Sequence, residues 1–192
     1  KEFIKMSALL GIGLPVQGLF SSCKRTELSP GDKVLVIGAG AAGMTAAYLL
    51  HQQGVEVEVL EASSTHGGRM KQTADFADFP IPLGAEWLHV ERDVLSEIVN
   101  DPSVALNTET TPYDPAVDDA FLDGMEITIA EAGFTIDQKF INSTWFDFFD
   151  RLIYPHISNR IAYDQVVQSI NYEGDQVTVR TSTDEFSAAK VI

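Results

Sequence analysis

The stretch KVLVIGAGAAG, residues 33–43, places a short run of valine, leucine and isoleucine directly before three closely spaced glycines. An almost uninterrupted apolar run of this length predicts a strand that is buried on both faces, as in a parallel sheet. Residues 41–53 then favour a helix, which Gly54 ends, and Val55–Leu60 alternates as a second strand. Strand, helix and strand in this order predict a βαβ unit and therefore an α/β fold.

The three glycines have the spacing of the dinucleotide-binding fingerprint, and they lie between the first strand and the helix. Gly38 permits a tight turn, Gly40 lets a pyrophosphate approach the backbone, and Gly43 lets the helix pack closely on the strand. Ala41 and Ala42 open the helix, whose unpaired N–H groups and partial positive charge attract phosphate. The hexapeptide therefore predicts a Rossmann-like phosphate site.

Glu61 follows the second strand, 18 residues after Gly43. A carboxylate at this point can accept hydrogen bonds from both ribose hydroxyls, and it repels the 2′-phosphate of NADP. A solvated acid at the end of a strand is the alternative. Because Glu61 follows the strand, the glycines and the helix at the expected spacing, we predict dinucleotide binding.

The next segment indicates which dinucleotide is bound. Glu61 and Ala62 are followed by Gly67-Gly68-Arg69, which resembles the segment that marks the flavin-containing amine oxidases. Paired glycines let the backbone pass close to a cofactor, and Arg69 can place a planar cation against phosphate or flavin. A plain turn is the alternative for the glycine pair. The resemblance implies FAD as the cofactor.

Two later stretches carry the same resemblance. Residues 82–89, PLGAEWLH, are similar to the family's segment along the isoalloxazine ring, which implies cofactor contacts from this stretch and a substrate-facing His89. The implied cofactor residues there are Leu83, Gly84, Ala85, Glu86 and Trp87. Residues 166–170 are similar to a strand in which the backbone of one valine, here Val167, binds adenine. An ordinary strand for residues 166–170 and a structural histidine at 89 are the alternatives.

The remaining patterns predict further elements. We expect a helix over residues 93–100, a hairpin around the Asp-Gly turn within residues 121–129, a helix over 140–153, and a three-stranded meander over 165–192. The expected organisation is a signal peptide over 1–23, a linker over 24–32, an FAD-binding part over 33–90, part of a small substrate domain over 91–160, and a return to the FAD-binding domain over 161–192.

Composition limits the functions that the chain can have. Its formal charge is -15, which argues against nucleic acid as a partner, because phosphate binding needs Lys and Arg. The four histidines form no ligand pattern, and the single cysteine excludes a disulfide within the chain and a cysteine-based metal cluster. We predict no metal.

The first 23 residues have a basic flank, an apolar run and small residues before Cys23. This order is typical of a secretory signal. Lys1–Lys5 partly resembles a twin-arginine motif, and Cys23 is a candidate site for a lipid anchor. We expect an exported protein, periplasmic or attached to the cell envelope, and a cytoplasmic protein is the alternative.

The resemblance implies an oxidoreductase that transfers a hydride equivalent from the carbon of an amine to flavin N5. Water then hydrolyses the imine, and oxygen or another acceptor takes the electrons. We expect residues 1–192 to be a fragment that is inactive alone. Three alternatives stay open: a desaturase or protoporphyrinogen oxidase-like FAD enzyme, an NAD-dependent dehydrogenase, and a non-catalytic nucleotide-binding module.

Overall fold

A computed structural model describes residues 28, 31–89, 91, 93–104, 108–112, 119–128, 130–133 and 138–192. The predicted signal peptide over 1–23, including Cys23, lies outside the described residues, as do most of the predicted linker and Ile129 of the predicted hairpin. Across the described ranges, no helix is both long and apolar enough to cross a membrane.

Four parallel strands form the central sheet: β10 (Ile161–Ala162), β2 (Glu56–Leu60), β1 (Lys33–Ile37) and β14 (Lys190–Val191), in this spatial order. β1 and β2 pair in register over their full lengths. β14 pairs with the free side of β1, and β10 pairs with the free side of β2. The predicted α/β fold with a parallel sheet is confirmed.

The sheet is covered on both faces, which explains the unbroken apolar run in β1. Helix α1 (Ala41–Gln52) lies on one face, where Val34 and Val36 share a buried cluster with Met44 of the helix. On the other face, Leu35 is buried in a second cluster. Successive side chains of a strand point to opposite faces, so the alternate residues of the run are buried on opposite sides of the sheet.

The second face is covered by an antiparallel meander of three strands. Its members are β11 (Val167–Asn171), β12 (Val177–Thr181) and β13 (Glu185–Ala188). Val179 and Ala188 pack against Leu35 and Leu60 of the sheet. The predicted meander is confirmed, but its third strand was predicted too long. The chain leaves the meander at Ala189, whose N–H donates to Lys33 O (3.0 Å), and it continues as β14 of the central sheet.

Short elements between β2 and β10 complete the described fold. They are β3 (Gln72–Thr73), β4 (Ile81–Pro82), β5 (Trp87–Leu88), α2 (Asp93–Val99), β6 (Thr110–Pro112), β7 (Asp119–Leu122), β8 (Met125–Thr128), β9 (Gln138–Phe140), α3 (Trp145–Leu152) and α4 (Tyr154–Ile157). The predicted helix after residue 93 and the predicted hairpin, here β7 and β8, are both confirmed.

The helix predicted over residues 140–153 begins later than expected. Phe140 ends strand β9, and α3 starts only after Thr144, whose hydroxyl accepts from Asp147 N–H (3.2 Å) while the Asp147 carboxylate accepts from Thr144 N–H (3.1 Å). This reciprocal capping box fixes the helix start. Pro155 does not end the helical region, because it lies in the first turn of α4, where its missing N–H costs nothing.

Candidate dinucleotide site

The turn between β1 and α1 forms one wall of a cleft at the carboxyl ends of β1 and β2. Gly38 N–H donates to Leu60 O (2.8 Å), which bonds the turn to the end of β2. Gly43 lies directly over Gly38, since a Cβ built at Gly43 would stand 1.9 Å from Gly38 O. Glycine at position 43 therefore lets the start of the helix approach the strand.

Helix α1 begins without a side-chain cap. Gly40 is the N-cap residue, and the first turn of the helix carries no acidic side chain. A Cβ built at Gly40 would meet no atom within 4 Å, so the backbone here is open. Uncapped N–H groups at the positive end of a helix dipole bind anions well. This end of the cleft can therefore hold phosphate groups.

Glu61 lies at the end of β2 and is bonded to the same turn. The residue is only 8% exposed, its Oε2 accepts from Ala39 N–H (2.7 Å), and its Oε1 accepts from Ser63 N–H (2.8 Å). Burial raises the pKa of Glu61, but these hydrogen bonds and the nearby Lys71 outweigh it, so the pKa is lowered. Glu61 is therefore a charged group held beside the glycine turn rather than a solvated acid.

The diglycine segment packs on the glycine turn. Gly67 N–H donates to Ala39 O (2.8 Å), and a Cβ built at Gly68 would stand 3.3 Å from the Cα of Gly40. Gly67 has φ +107°, a conformation that L side chains rarely adopt, so glycine is needed there. Glu61 and Arg69, which are 8 residues apart in the sequence, thus belong to segments that both contact residues 39–40.

The third predicted segment closes the cleft from the other side. Ala85 N–H donates to Arg69 O (2.8 Å), and Leu83 N–H donates to Lys71 O (2.7 Å). The resulting cleft has a volume of about 720 Å³. Its walls come from the three predicted segments and two further residues: Ile37, Gly38, Gly40, Ala41, Ala42, Gly43, Gly68, Arg69, Met70, Gly84 and Ala85.

Four predicted residues of the segment 82–89 lie next to this cleft without lining it: Leu83, Glu86, Trp87 and His89. Leu83 is 65% exposed, and His89 is exposed just after β5. Glu86 forms an ion pair with Lys139 (2.6 Å), whose ammonium lies 3.8 Å from the ring centre of Trp87. Glu86 also lines a neighbouring cavity of about 290 Å³ together with Ala85 and Lys139.

Ala62 and Val167 lie toward the Glu61 end of the site. Ala62 is exposed, and Val167 begins β11, where it pairs with Thr181. The backbone connects the two regions, because Gln165 N–H donates to Glu61 O (2.8 Å). Val167 therefore lies two residues from a direct backbone contact to Glu61, although it does not line the cleft.

Sequence reasoning missed His66, to which it assigned no role. The structure buries this ring (8% exposed) between two aromatic side chains and hydrogen-bonds both of its nitrogens. Its partners lie 80 or more residues away, so no local pattern could indicate them. Its position directly before the glycine pair was the only available signal.

Comparison with known proteins agrees with this geometry. The family described as NAD(P)-binding Rossmann-like domain matches residues 36–101. The chain is 47% identical over 83 residues to lysine-specific histone demethylase 1 homolog 3 of Arabidopsis thaliana, a match over 43% of this chain and 5% of that protein. It is 45% identical over 70 residues to polyamine oxidase 2 of the same plant, a match over 36% of this chain and 14% of that protein.

A solved structure matches over a longer range. Cyclohexylamine oxidase from Brevibacterium oxydans IH-35A superposes with a TM-score of 0.62 at 15% identity, over 83% of this chain and 57% of that chain. The matches to eight of the curated relatives cover between 5% and 16% of their lengths. Residues 36–101 are therefore similar to the NAD(P)-binding Rossmann-like domain, in a chain whose relatives include polyamine oxidases and lysine-specific histone demethylases.

Proposed function

We propose that the chain binds FAD and is the cofactor-binding part of an oxidoreductase that oxidises a carbon–nitrogen bond of an amine. One observation carries the proposal: three segments that are separate in the sequence line a single cleft at an uncapped helix N-terminus. In this proposal, residues 91–160 belong to a substrate domain.

The residues of the cleft fit a dinucleotide. The open backbone at Gly40 and the first N–H groups of α1 would hold the phosphates, and Arg69 would add a cation beside them. The Glu61 carboxylate accepts from two backbone N–H groups and from the Ser63 side chain, and a lone pair remains to accept from a ribose hydroxyl. Its negative charge disfavours the 2′-phosphate of NADP.

The choice of FAD over NAD rests on the later segments. The glycine turn and the acid at the end of β2 are shared by sites for both dinucleotides. The diglycine–arginine segment and residues 84–85 extend the cleft beyond that shared part. They favour the longer cofactor, whose adenosine end would lie toward Glu61 and Val167 and whose flavin end would lie toward Gly84, Ala85 and Trp87.

The proposed substrate class follows from the names of the relatives, which are polyamine oxidases and a cyclohexylamine oxidase. When bound, FAD supplies the hydride acceptor for the carbon beside the amine nitrogen. The protein orients the substrate and excludes water during this transfer, and water later hydrolyses the imine product. Oxygen or another acceptor would then take the electrons.

A spectrum and an activity assay on the full-length protein test this proposal. We expect visible flavin absorption after purification and hydrogen peroxide production from polyamines or cyclohexylamine. A folded, colourless protein that binds NAD would instead support a dehydrogenase, and a yellow protein inert to all amines would support a desaturase-like enzyme. Failure to bind either dinucleotide would leave a non-catalytic module.

Arg69→Ala tests the cleft itself. Loss of a charge-assisted contact to phosphate or flavin should weaken FAD binding by about 10-fold or more, as measured by titration of the apoprotein. Arg180→Ala is the matched control, because Arg180 pairs with Glu185 on the exposed face of the meander. Equal losses in both variants would contradict the assignment of the cleft.

We also propose that residues 1–23 direct export and that Cys23 carries a lipid anchor. The support is the order of basic, apolar and small residues in this segment. Mass spectrometry of the mature protein should find cleavage before Cys23 and an acylated cysteine. An intact N-terminus in the cytoplasmic fraction would contradict this.

A further inference from the structure

We infer that His66 is a positioning residue that fixes the diglycine turn against the glycine turn of the cleft. It does so within a set of five side chains, here termed the His66 clasp: His66, Phe146, Asp150, Tyr154 and Tyr163. The nature of the ligand in this inference rests on the proposed function, whereas the positioning of the turn does not.

Both faces of the imidazole are covered by aromatic rings. Tyr154 stacks at a centroid distance of 4.1 Å and an interplanar angle of 12°, and Phe146 stacks at 5.0 Å and 17°. The two rings come from α3 and from the start of α4. The imidazole therefore lies in a slot between two aromatic rings.

Both nitrogens of the ring are hydrogen-bonded in that slot. Nε2 lies 3.2 Å from Asp150 Oδ1, and Nδ1 lies 3.1 Å from Tyr163 Oη. A carboxylate can only accept, so Nε2–H donates to Asp150, and in this tautomer Nδ1 accepts from the tyrosine hydroxyl. Burial, followed by hydrogen bonding to Tyr154, raises the pKa of Tyr163, so its hydroxyl stays protonated.

The clasp acts on the cleft through Gly67, the next residue. A Cβ built at Gly67 would stand 2.9 Å from Cδ2 of Phe146, so the turn packs directly on a clasp ring. On its other side, Gly67 donates to Ala39 O in the glycine turn. The diglycine turn is thus held between the clasp and the wall that would contact the phosphates.

This arrangement lowers the entropic cost of binding. A turn that is already ordered does not have to be fixed when the dinucleotide enters, so more of the contact energy contributes to affinity. The three elements of the clasp, which are α3, α4 and the loop after β10, contain no residue that lines the cleft. The clasp side chains therefore reach the cleft through the turn, and the loop after β10 also contacts the site where Gln165 N–H donates to Glu61 O.

His66→Phe and Tyr163→Phe in the full-length protein separate positioning from general packing. His66→Phe keeps a stacked ring but removes the hydrogen bonds to Asp150 and Tyr163. Tyr163→Phe removes only the hydrogen bond at Nδ1 of His66 and leaves the one at Nε2. We expect amide hydrogen exchange at Gly67 and Gly68 to accelerate by about 10-fold in the ligand-free protein, and FAD affinity to fall by a similar factor. Asp150→Asn keeps the acceptor oxygen and should retain the wild-type values, whereas Asp150→Ala should not.

Tyr48→Phe is the matched control. It removes another buried tyrosine hydroxyl, which donates to Val99 O (3.2 Å) in the same core but away from the cleft. Unchanged exchange at residues 67–68 in both His66→Phe and Tyr163→Phe, or an equal acceleration in Tyr48→Phe, would overturn the inference. If the wild-type protein fails to bind FAD, the proposed function fails, and the exchange measurement still decides whether His66 positions the turn. If His66→Phe does not fold, Tyr163→Phe gives the answer.

Discussion

Gly43 and Gly40 lie three residues apart in one turn, yet their surroundings differ completely. A Cβ at Gly43 would overlap Gly38 O, whereas a Cβ at Gly40 would enter open space in the cleft. Gly43 therefore allows close packing, and Gly40 leaves room for a ligand. Substituting each in turn should separate folding from binding.

We expect Gly43→Ala to destabilise the protein by about 2–3 kcal/mol, because the helix has to move away from the strand. Gly40→Ala should lower the free energy of unfolding by only about 0.5 kcal/mol, because alanine is a poorer N-cap. It should nevertheless weaken dinucleotide binding strongly. Urea unfolding and FAD titration measure the two effects. A large loss of stability in Gly40→Ala with unchanged affinity would reverse the two roles.

Glu61 predicts a pH dependence of stability. Its pKa in the folded protein is lowered from an ordinary value of 4.5, so its stabilising effect is complete above pH 4.5 and is lost as the pH falls through the folded pKa. Glu61→Gln places an amide against two N–H donors and should cost about 1–3 kcal/mol at pH 7. The difference from wild type should shrink below pH 4.5. A difference that is constant from pH 7 to pH 3 would contradict this.

At the scale of elements, prediction was accurate where local sequence determines structure. The first strand, helix and second strand were predicted to within one residue, because apolar periodicity and glycines mark both their type and their ends. The start of α3 was predicted wrongly, since aromatic content outweighed the Thr144–Asp147 capping pair. The break at Ala189 had no local signal, because pairing with β1 decides it.

The cap of α3 is testable on its own. Thr144→Ala removes the hydroxyl that accepts from Asp147 N–H and that also bonds the Gln72 side chain, so the free energy of unfolding should fall by about 1 kcal/mol or more. Thr144→Ser keeps the hydroxyl and should stay near wild type. Calorimetry on the two variants measures the difference, and equal melting temperatures would show that the cap contributes nothing.

At the scale of the whole molecule, the candidate site divides into a predictable and an unpredictable part. The residues that line the cleft lie within residues 37–85, so motifs in one short stretch of sequence indicate them. The His66 clasp joins residues 66, 146, 150, 154 and 163, and only the folded chain brings these together. A single sequence carries no information about such long-range pairs.

Burial also predicts a map of local stability. Backbone amides of Val34–Val36 lie in a strand with neighbours on both sides and with fully buried side chains, so they should exchange most slowly. The hairpin of β7 and β8 exposes Phe121, Leu122 and Met125, and within the described residues its two strands pair only with each other, so its amides should exchange orders of magnitude faster. Hydrogen exchange followed by mass spectrometry compares the two, and equal rates would contradict the map.

The spatial order of the central sheet has a consequence for the nascent chain on the ribosome. Every residue that lines the cleft has been translated by Ala85, but the neighbours that complete the sheet, β10 and β14, emerge only about 75 and 105 residues later. Until then β1 is an edge strand with unpaired N–H and C=O groups. We therefore expect the cleft of the newly made protein to become ordered only after the clasp residues have been made, and the flank of β1 to stay unprotected until synthesis reaches β14.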